Sequence, residues 1–279
     1  MRRGKRGPQQ RRSHGPWVVD DGLWARIEPL LPVHERPAGT PGRKRLDDRK
    51  ALCGILFVLY TGIPWQWLPQ ELGFGCGMTC WRRLRDWNDA GVWQELHEVL
   101  LAELRRAGKL DLERAVIDAS HLKALKGGPK TGRSPVDRGK TGSKHHVITD
   151  ATGVPLAASL TGGNRNDCTE LMALVEAIPP IRGKRGRPRR RPRVVQADRG
   201  YDFDCYRRAL RAKGIGTQIA RRGTPHGSGL GATRYVVEQT IALLHWFRRL
   251  RIRWERRADI HEAFLKLGCA LICWRRLQS

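Results

Sequence analysis

Acidic residues are scarce in this sequence: 27 Asp and Glu stand against 53 Lys and Arg, which leaves a formal net charge of +26 in 279 residues. Long apolar segments are also absent, because the best run, residues 51–63, falls short of the roughly 18 residues that a membrane-spanning helix requires. The basic N-terminus is not followed by the apolar stretch of an export signal. These absences predict a cytoplasmic protein with a polyanionic partner, and nucleic acid is favoured over anionic membrane.

Zinc-binding cysteine patterns are missing too. The seven cysteines include two pairs spaced four residues apart, Cys76/Cys80 and Cys269/Cys273, but no Cys-x-x-Cys motif and no accompanying histidine completes a zinc site. An odd number of cysteines without an export signal indicates reduced thiols. We interpret them as small buried apolar residues.

The residue pattern divides the chain into three parts. Residues 1–16 are basic and almost free of apolar residues, so we expect a disordered arm that binds phosphates without sequence preference. Residues 17–107 have helical periodicity and predict a small all-α domain. Residues 108–279 mix short apolar runs with helical patterns and predict an α/β domain.

The all-α part contains a mostly apolar helix, a Gly-containing connection and a helix whose arginines are expected to face outward. This order suits a helix-turn-helix, with Arg82, Arg83 and Arg85 as contacts to a DNA groove or to phosphates. The alternative is a helical bundle with a solvated basic face.

The α/β part begins with the apolar run Ala115-Val116-Ile117-Asp118, which predicts a central strand with Asp118 at its carboxyl end. Two further runs on either side of Asp150-Ala151-Thr152-Gly153 predict a hairpin. Another strand ends at Asp198, and a long helix is expected over residues 232–250. Together these elements predict a mixed sheet with flanking helices.

A basic loop is predicted over residues 182–193. Its Arg185-Gly186-Arg187-Pro188 core is similar to an AT-hook, in which an extended Arg-Gly-Arg enters the minor groove of DNA. A general phosphate-binding loop is favoured, since such clusters recur in basic chains for reasons of composition. In both cases Arg185 and Arg187 are candidate DNA contacts.

Three acids stand at positions suited to metal chemistry. Asp118 and Asp198 each follow a short apolar run, and Glu238 lies near the start of the long helix on the face that carries Arg234 and His245. Taken singly, each acid also suits a strand end, a turn or the first turn of a helix. Together they suit two Mg²⁺ (or Mn²⁺) ions roughly 4 Å apart, which act on the attacking and leaving oxygens of a phosphodiester.

The order of these motifs resembles the DDE transposases of bacterial insertion sequences, in the branch typified by insertion sequence five. The catalytic motifs are Ile117-Asp118-Ala119-Ser120, Ala197-Asp198-Arg199-Gly200-Tyr201 and Arg234-Tyr235-Val236-Val237-Glu238. The N-terminal part resembles the helical domain of that branch through Asp47-Asp48-Arg49, Gly54-Ile55-Leu56, Thr61-Gly62-Ile63-Pro64-Trp65 and Trp87-Asn88-Asp89-Ala90-Gly91-Val92-Trp93. The resemblance implies a ribonuclease-H-like catalytic domain, with the first Asp on the central strand and the Glu on a late helix, preceded by a small helix-turn-helix-like domain.

Two positions depart from the pattern of the wider family. Gly231 and His245 stand where that family has a Tyr and a Lys, and His245 is a weaker cation at neutral pH. Arg248 and Arg249 follow one helical turn later and are candidates to supply the charge. Glu238 follows Asp198 by 40 positions, which leaves no room for the large β-rich insertion of some relatives.

The resemblance implies metal-dependent cleavage at transposon ends, followed by attack of the 3′-hydroxyl on target DNA. Asp118, Asp198 and Glu238 would be the catalytic metal ligands, with Arg234 and His245 beside the scissile phosphate. The expected partner is double-stranded DNA, both the terminal inverted repeats and the target, held by a homodimer because two ends must be brought together. Two alternatives are open: a transposase-derived DNA-binding repressor without catalysis, and a metal-dependent nuclease of the same fold.

Overall fold

The computed structural model describes residues 15–35, 39, 41–42, 44–223 and 231–279. Apart from residues 15 and 16, the arm predicted for residues 1–16 lies outside the described residues. No helix in these ranges has the length and hydropathy needed to cross a membrane.

Helices precede the sheet and flank it in the described part of the chain. The helices are α1 (Asp21–Ile27), α2 (Asp48–Thr61), α3 (Gly77–Asp89), α4 (Val92–Arg106), α5 (Leu171–Ala177), α6 (Asp204–Ala212), α7 (Gly231–Trp246), α8 (Arg248–Arg251) and α9 (Ala258–Gln278). The strands are β1 (Arg114–Lys123), β2 (Gly132–Arg133), β3 (Thr141–Asp150), β4 (Pro155–Gly162), β5 (Val194–Ala197) and β6 (Gly216–Ile219).

The strands form one mixed sheet in the order β2–β3–β1–β5–β6, and β4 also pairs with β3. β1 runs antiparallel to β3 and parallel to β5, which is parallel to β6. The predicted hairpin is confirmed, since β3 and β4 pair antiparallel on either side of a turn. α7 lies against β1 and β3, and α9 packs on β4. This mixed sheet with flanking helices confirms the predicted α/β class, with β1 as a central strand.

β1 is longer than predicted. The sequence placed Asp118 at the carboxyl end of the strand, and this was wrong: residues 120–123 continue the ladder by pairing with residues 142–145 of β3. Asp118 therefore lies in the middle of β1, where its pairing with Val147 of β3 fixes its backbone. The buried Ala115, Val116 and Ile117 hold this part of the strand in the core.

The N-terminal helices and the sheet share one hydrophobic core. α9 packs against α3 and α4 as well as β4, and a continuous cluster of buried apolar residues extends from Val19 to Trp274. The boundary between residues 107 and 108 therefore separates two patterns of secondary structure but not two cores. Five of the seven cysteines are buried, but Cys76 and Cys205 are exposed, so the prediction of buried cysteines was wrong for these two. All seven are free thiols.

The connection between α2 and α3 differs from that of a helix-turn-helix. α2 stops at Gly62, whose φ of 74° is a left-handed conformation that glycine adopts without strain. Two 3₁₀ turns, Trp65–Trp67 and Gln70–Leu72, then lead to α3. Since a helix-turn-helix has a turn of about 3–4 residues, α2 and α3 form a helical pair with a longer connection.

The long helix predicted over residues 232–250 is divided into two. α7 ends at Trp246, and Phe247 leaves the helical conformation with φ −73° and ψ 100° before α8 begins. The Phe247 side chain is fully buried. The change of direction places Arg248 and Arg249 in settings that a continuous helix would not have given them.

Candidate active site

Asp118 projects from the central strand with its side chain half-buried. Its Oδ1 accepts a hydrogen bond from the backbone N–H of Ala119 at 2.8 Å. Residues two apart on a strand point to the same side of the sheet, so Asp118 and Ser120 share the face on which α7 lies.

Asp198 stands at the end of the neighbouring parallel strand. Val116 pairs with Gln196, and continuing this register by two residues places Asp198 beside Asp118. The Oδ1 of Asp198 accepts from the backbone N–H of Gly200 at 2.8 Å and caps a 3₁₀ turn. A Cβ atom at position 200 would lie 2.9 Å from that oxygen, so the glycine in the Asp-Arg-Gly-Tyr motif makes room for the carboxylate.

Glu238 reaches the same place from α7 and shares a cation with Asp198. Nη2 of Arg234 donates to Oε1 of Glu238 at 3.1 Å, and Nη1 of Arg234 lies 3.9 Å from Oδ2 of Asp198. Their side chains are 27% (Arg234), 39% (Asp198) and 55% (Glu238) exposed, so the group is open to solvent. We call Asp118, Asp198, Glu238 and Arg234 the acidic cluster.

The ionisation of the acidic cluster is coupled. Burial raises the pKa of Asp118 to about 6, opposed by the Ala119 N–H and the charge of Arg234, while the charges of Asp198 and Glu238 raise it further. Although burial alone would lower the pKa of Arg234, its hydrogen bond to Glu238 and the charges of Asp118 and Asp198 raise it. One guanidinium group therefore balances only part of the charge of three carboxylates, which leaves an excess of negative charge.

The donor set of the acidic cluster fits a hard divalent cation. Mg²⁺ binds carboxylate oxygens and usually needs only a few of them from the protein. The raised pKa of Asp118 comes first from burial, and the charges of Asp198 and Glu238 add to it. Within the described ranges, however, no group of three or more Asp, Glu, His or Cys side chains is positioned to hold a metal ion as it stands.

His245 lies two turns after Glu238 on α7 and faces the central strand. Its Nε2 is 3.4 Å from Oγ of Ser120, two residues beyond Asp118. Burial lowers the pKa of His245, and the positive charge of Arg251 lowers it further, so the imidazole is neutral at pH 7. Sequence reasoning missed Ser120 as its partner, although the same-face spacing from Asp118 was available as a signal.

Arg248 and Arg249 were both predicted to contact DNA, and the structure separates them. Arg248 is exposed. Arg249 is 5% exposed: it pairs with Glu255 at 2.5 Å and donates to the carbonyls of Gly62 and Ile63. The prediction for Arg249 was wrong because its buried guanidinium forms bonds that hold α8 to the segment after α2.

The three arginines of α3 also differ from one another. Arg82 is exposed as predicted. Arg83 was predicted to face outward, but its side chain is 13% exposed and forms an ion pair with Asp48 at 3.1 Å. Arg85 pairs with Asp86 and lies over the ring of Trp81. Arg82 is therefore the member of this set whose geometry best suits a DNA contact.

The basic loop forms a short exposed hairpin. Ile181 and Arg189 exchange backbone hydrogen bonds of 2.8 and 3.0 Å, and Arg185 and Arg187 lie in the exposed turn between them. Gly186 has a φ of 98°, so this turn is not the uniformly extended backbone of the AT-hook interpretation. The geometry favours a general phosphate-binding loop.

Two family models match the chain. The model described as "Transposase DDE domain" matches residues 109–273, and the model described as "Putative transposase of IS4/5 family" matches residues 19–97. The first match spans more than half of the chain and contains the whole acidic cluster.

Sequence relatives agree with these matches. A putative transposase for insertion sequence element IS402 of Burkholderia cepacia is 67% identical over 152 residues, 54% of this chain and 72% of the relative. A 16.2 kDa uncharacterized protein of the same insertion element is 54% identical over 119 residues, 42% of this chain and 81% of that protein.

Among solved structures, the catalytic domain of Mos1 mariner transposase aligns with 67% of this chain and 88% of its own, at 13% identity and a TM-score of 0.27. That likeness is too low to support any argument, and the assignment depends on the family models and the sequence relatives. From these, the chain belongs to the bacterial insertion-sequence transposases that carry the DDE domain.

Proposed function

We propose that this transposase cuts DNA at the ends of its mobile element and joins the freed 3′-hydroxyl to target DNA, with Asp118, Asp198 and Glu238 as catalytic residues and metal ligands. The observation that supports the proposal is the convergence of these carboxylates, from two adjacent strands and a helix, on the guanidinium of Arg234. Two Mg²⁺ or Mn²⁺ ions, when bound there, supply Lewis-acid stabilisation of the attacking and leaving oxygens.

The other side chains of the site position the scissile phosphate. Arg234 partly balances the three carboxylates in the structure. Metal ions bound by the carboxylates would take over that role and leave the planar guanidinium of Arg234 available to a phosphate. His245, held near Ser120 and neutral at pH 7, offers a hydrogen bond where the wider family has a charged Lys. Positive charge at the phosphate then comes from Arg234 and the exposed Arg248.

Residues 17–107 are proposed to hold the terminal inverted repeats, while exposed arginines outside the site grip phosphates of the repeats and of the target. These arginines are Arg82, Arg185 and Arg187. With about 6–10 phosphate contacts, affinity for DNA falls about 10³–10⁵-fold between 50 and 200 mM salt. A homodimer is proposed to hold the two ends of the mobile element together. Because the proposed substrate is DNA, the proposed location is the cytoplasm. A nearly flat salt dependence in a binding titration would contradict this electrostatic part of the proposal.

The decisive experiment combines cleavage and joining in one assay. Purified wild-type protein, Glu238→Gln and the control Glu95→Gln are incubated with inverted-repeat ends, target plasmid and Mg²⁺. Glu95 is an exposed first-turn acid of α4, far in sequence from the acidic cluster. We expect Glu238→Gln to lose cleavage by about 10³-fold or more, while Glu95→Gln keeps wild-type activity.

The products separate the remaining alternatives. Joined molecules establish a transposase, whereas nicked DNA without joining identifies a nuclease of the same fold. Sequence-specific binding without any cleavage by the wild-type protein identifies a repressor. Unchanged cleavage by Glu238→Gln would remove this residue from the catalytic set.

A further inference from the structure

A second concave site lies where the N-terminal helices meet the catalytic part. It is a cleft of about 420 Å³, and the side chains that shape it are Trp65, Met78, Trp81, Lys126, Trp254 and Glu255. We call it the tryptophan cleft. Trp65, Met78 and Trp81 come from the segment after α2 and from α3, while Lys126 follows β1 and Trp254 precedes α9.

The walls of the tryptophan cleft are fixed before any ligand binds. Trp65 stacks on Phe264 with ring centroids 5.7 Å apart and an angle of 16°, and its Nε1 donates to Oε1 of Glu255 at 3.2 Å. Arg253, next to Trp254, is fully buried and donates to backbone carbonyls that include those of Pro129 and Lys130. The three indoles are nonetheless half-exposed, and Met78 is exposed.

Cationic side chains surround the tryptophan cleft. Lys126 is exposed at the cleft, and the guanidinium groups of Arg85 and Arg257 lie 5.5 and 5.6 Å from the ring centroid of Trp81, although each also forms an ion pair, with Asp86 and Asp259 respectively. The one acid of the lining, Glu255, is balanced by Arg249 at 2.5 Å. A ligand is therefore offered flat apolar faces surrounded by cations.

We propose that the tryptophan cleft binds an unpaired nucleobase of the DNA substrate, an inference that rests on the proposed function. Every base has a π-face that stacks on an aromatic side chain regardless of its identity, while nearby cations hold the adjoining phosphates. A base inside a duplex is covered on both faces and cannot enter a concave site, so the base must be extruded or already single-stranded. The positive surroundings favour this occupant over an apolar peptide.

The cleft is mechanically tied to the catalytic strand. Arg253 donates its backbone N–H to the carbonyl of Lys123, and Leu125 donates its own to the carbonyl of Arg253, so the segment before Trp254 pairs alongside the end of β1. A base held in the cleft would be positioned relative to Asp118 through that strand.

The test uses the full-length protein and short DNA duplexes in a buffer with chelator, so that no cleavage occurs. One duplex carries a bulged 2-aminopurine, and the other carries an abasic residue in the bulge. We expect wild-type protein to quench the 2-aminopurine and to bind the bulged base about 5- to 100-fold more tightly than the abasic duplex. Trp254→Ala should lose this preference, and Trp254→Phe should keep most of it.

Two further variants serve as a control and as a second test of the lining. Trp67→Ala removes an exposed tryptophan that does not line the cleft and should keep the full preference. If Trp254→Ala fails to fold, Met78→Ala, at an exposed lining position, should reduce the preference. The proposal is overturned if wild-type protein does not distinguish the duplexes, or if both lining variants retain the preference.

Light scattering compares the molecular mass of Trp254→Ala with that of the wild type. If the mass changes while the base preference stays intact, the cleft is a subunit contact and the proposal is overturned. Failure of the proposed function looks different: the base preference persists while the wild-type protein neither cuts nor joins DNA in the cleavage assay.

Discussion

Two polar clusters lie on the same side of the sheet and treat charge in opposite ways. The acidic cluster is open to solvent and sets three carboxylates around one guanidinium. The second, which we call the interior cluster, is buried, and its members are His145, Arg249, Arg253, Glu255 and His261. His145 pairs with Ser120 across β1 and β3, so both clusters occupy the face of Asp118.

The difference lies in how the charged groups of each cluster are held. In the interior cluster Arg253 bonds to several backbone carbonyls and to Ser143, Arg249 pairs with Glu255, and Nε2 of His145 lies 2.8 Å from Nε2 of His261. In the acidic cluster, negative charge exceeds positive charge. A net charge of +26 therefore does not make every arginine a DNA contact. Some arginines hold the fold together, and the acidic cluster, which is open to solvent, is the site suited to bind a ligand.

The largest expected contrast comes from removing one arginine of each cluster. Arg249→Ala leaves Glu255 buried without its cation and two carbonyls without donors, so the free energy of unfolding should fall by about 3–5 kcal/mol. Arg234→Ala, at a partly exposed ion pair, should change it by about 1 kcal/mol or less. Urea denaturation of both variants measures this, and equal losses would erase the distinction between the clusters.

The second largest effect should be a loss of stability in acid, caused by the histidines of the interior cluster. Burial lowers the pKa of His261 to about 3 and that of His145 well below its usual value, with Arg253 adding to both effects. Both histidines are neutral when folded but protonated when unfolded below about pH 6.5, so stability is lost as pH falls through that value. The loss is up to about 1.4 kcal/mol per pH unit for each histidine.

Denaturant titrations at a series of pH values test this slope. Replacing His261 with Gln should make the slope shallower, whereas His34→Gln, at an exposed position, should leave it unchanged. A slope unaffected by His261→Gln would show that other groups control the acid sensitivity.

The smallest effect should be a gain in stability at the acidic cluster. Because the folded pKa of Asp118, about 6, is above the usual value of 3.8, the folded chain binds more protons between these values, and stability falls as pH rises through this window. Without metal at pH 7, Asp118→Asn should therefore be more stable than wild type by about 1–2 kcal/mol. A less stable variant in thermal unfolding would argue that the Asp118 carboxylate is already balanced.

The sequence anticipated the acidic cluster because its signals are local. An apolar run before Asp118 and another before Asp198 predict strands, and the spacing of Arg234 and Glu238 places them on one helical face. The burial of Arg249 had no local signal in the sequence, since its partners Gly62 and Ile63 lie 187 and 186 positions away. The break at Phe247 and the extension of β1 past Asp118 likewise depend on packing and strand pairing between distant segments.

The central claim is that Asp118, Asp198 and Glu238 together form the metal site, and Mn²⁺ binding tests it most directly. Titration of the full chain with Mn²⁺, followed by electron paramagnetic resonance, should show saturable binding by wild type and by the control Glu95→Gln. Asp118→Asn, Asp198→Asn and Glu238→Gln should each weaken that binding by about tenfold or more. A wild-type chain that binds no Mn²⁺, or triad variants that bind it as wild type does, would contradict the account.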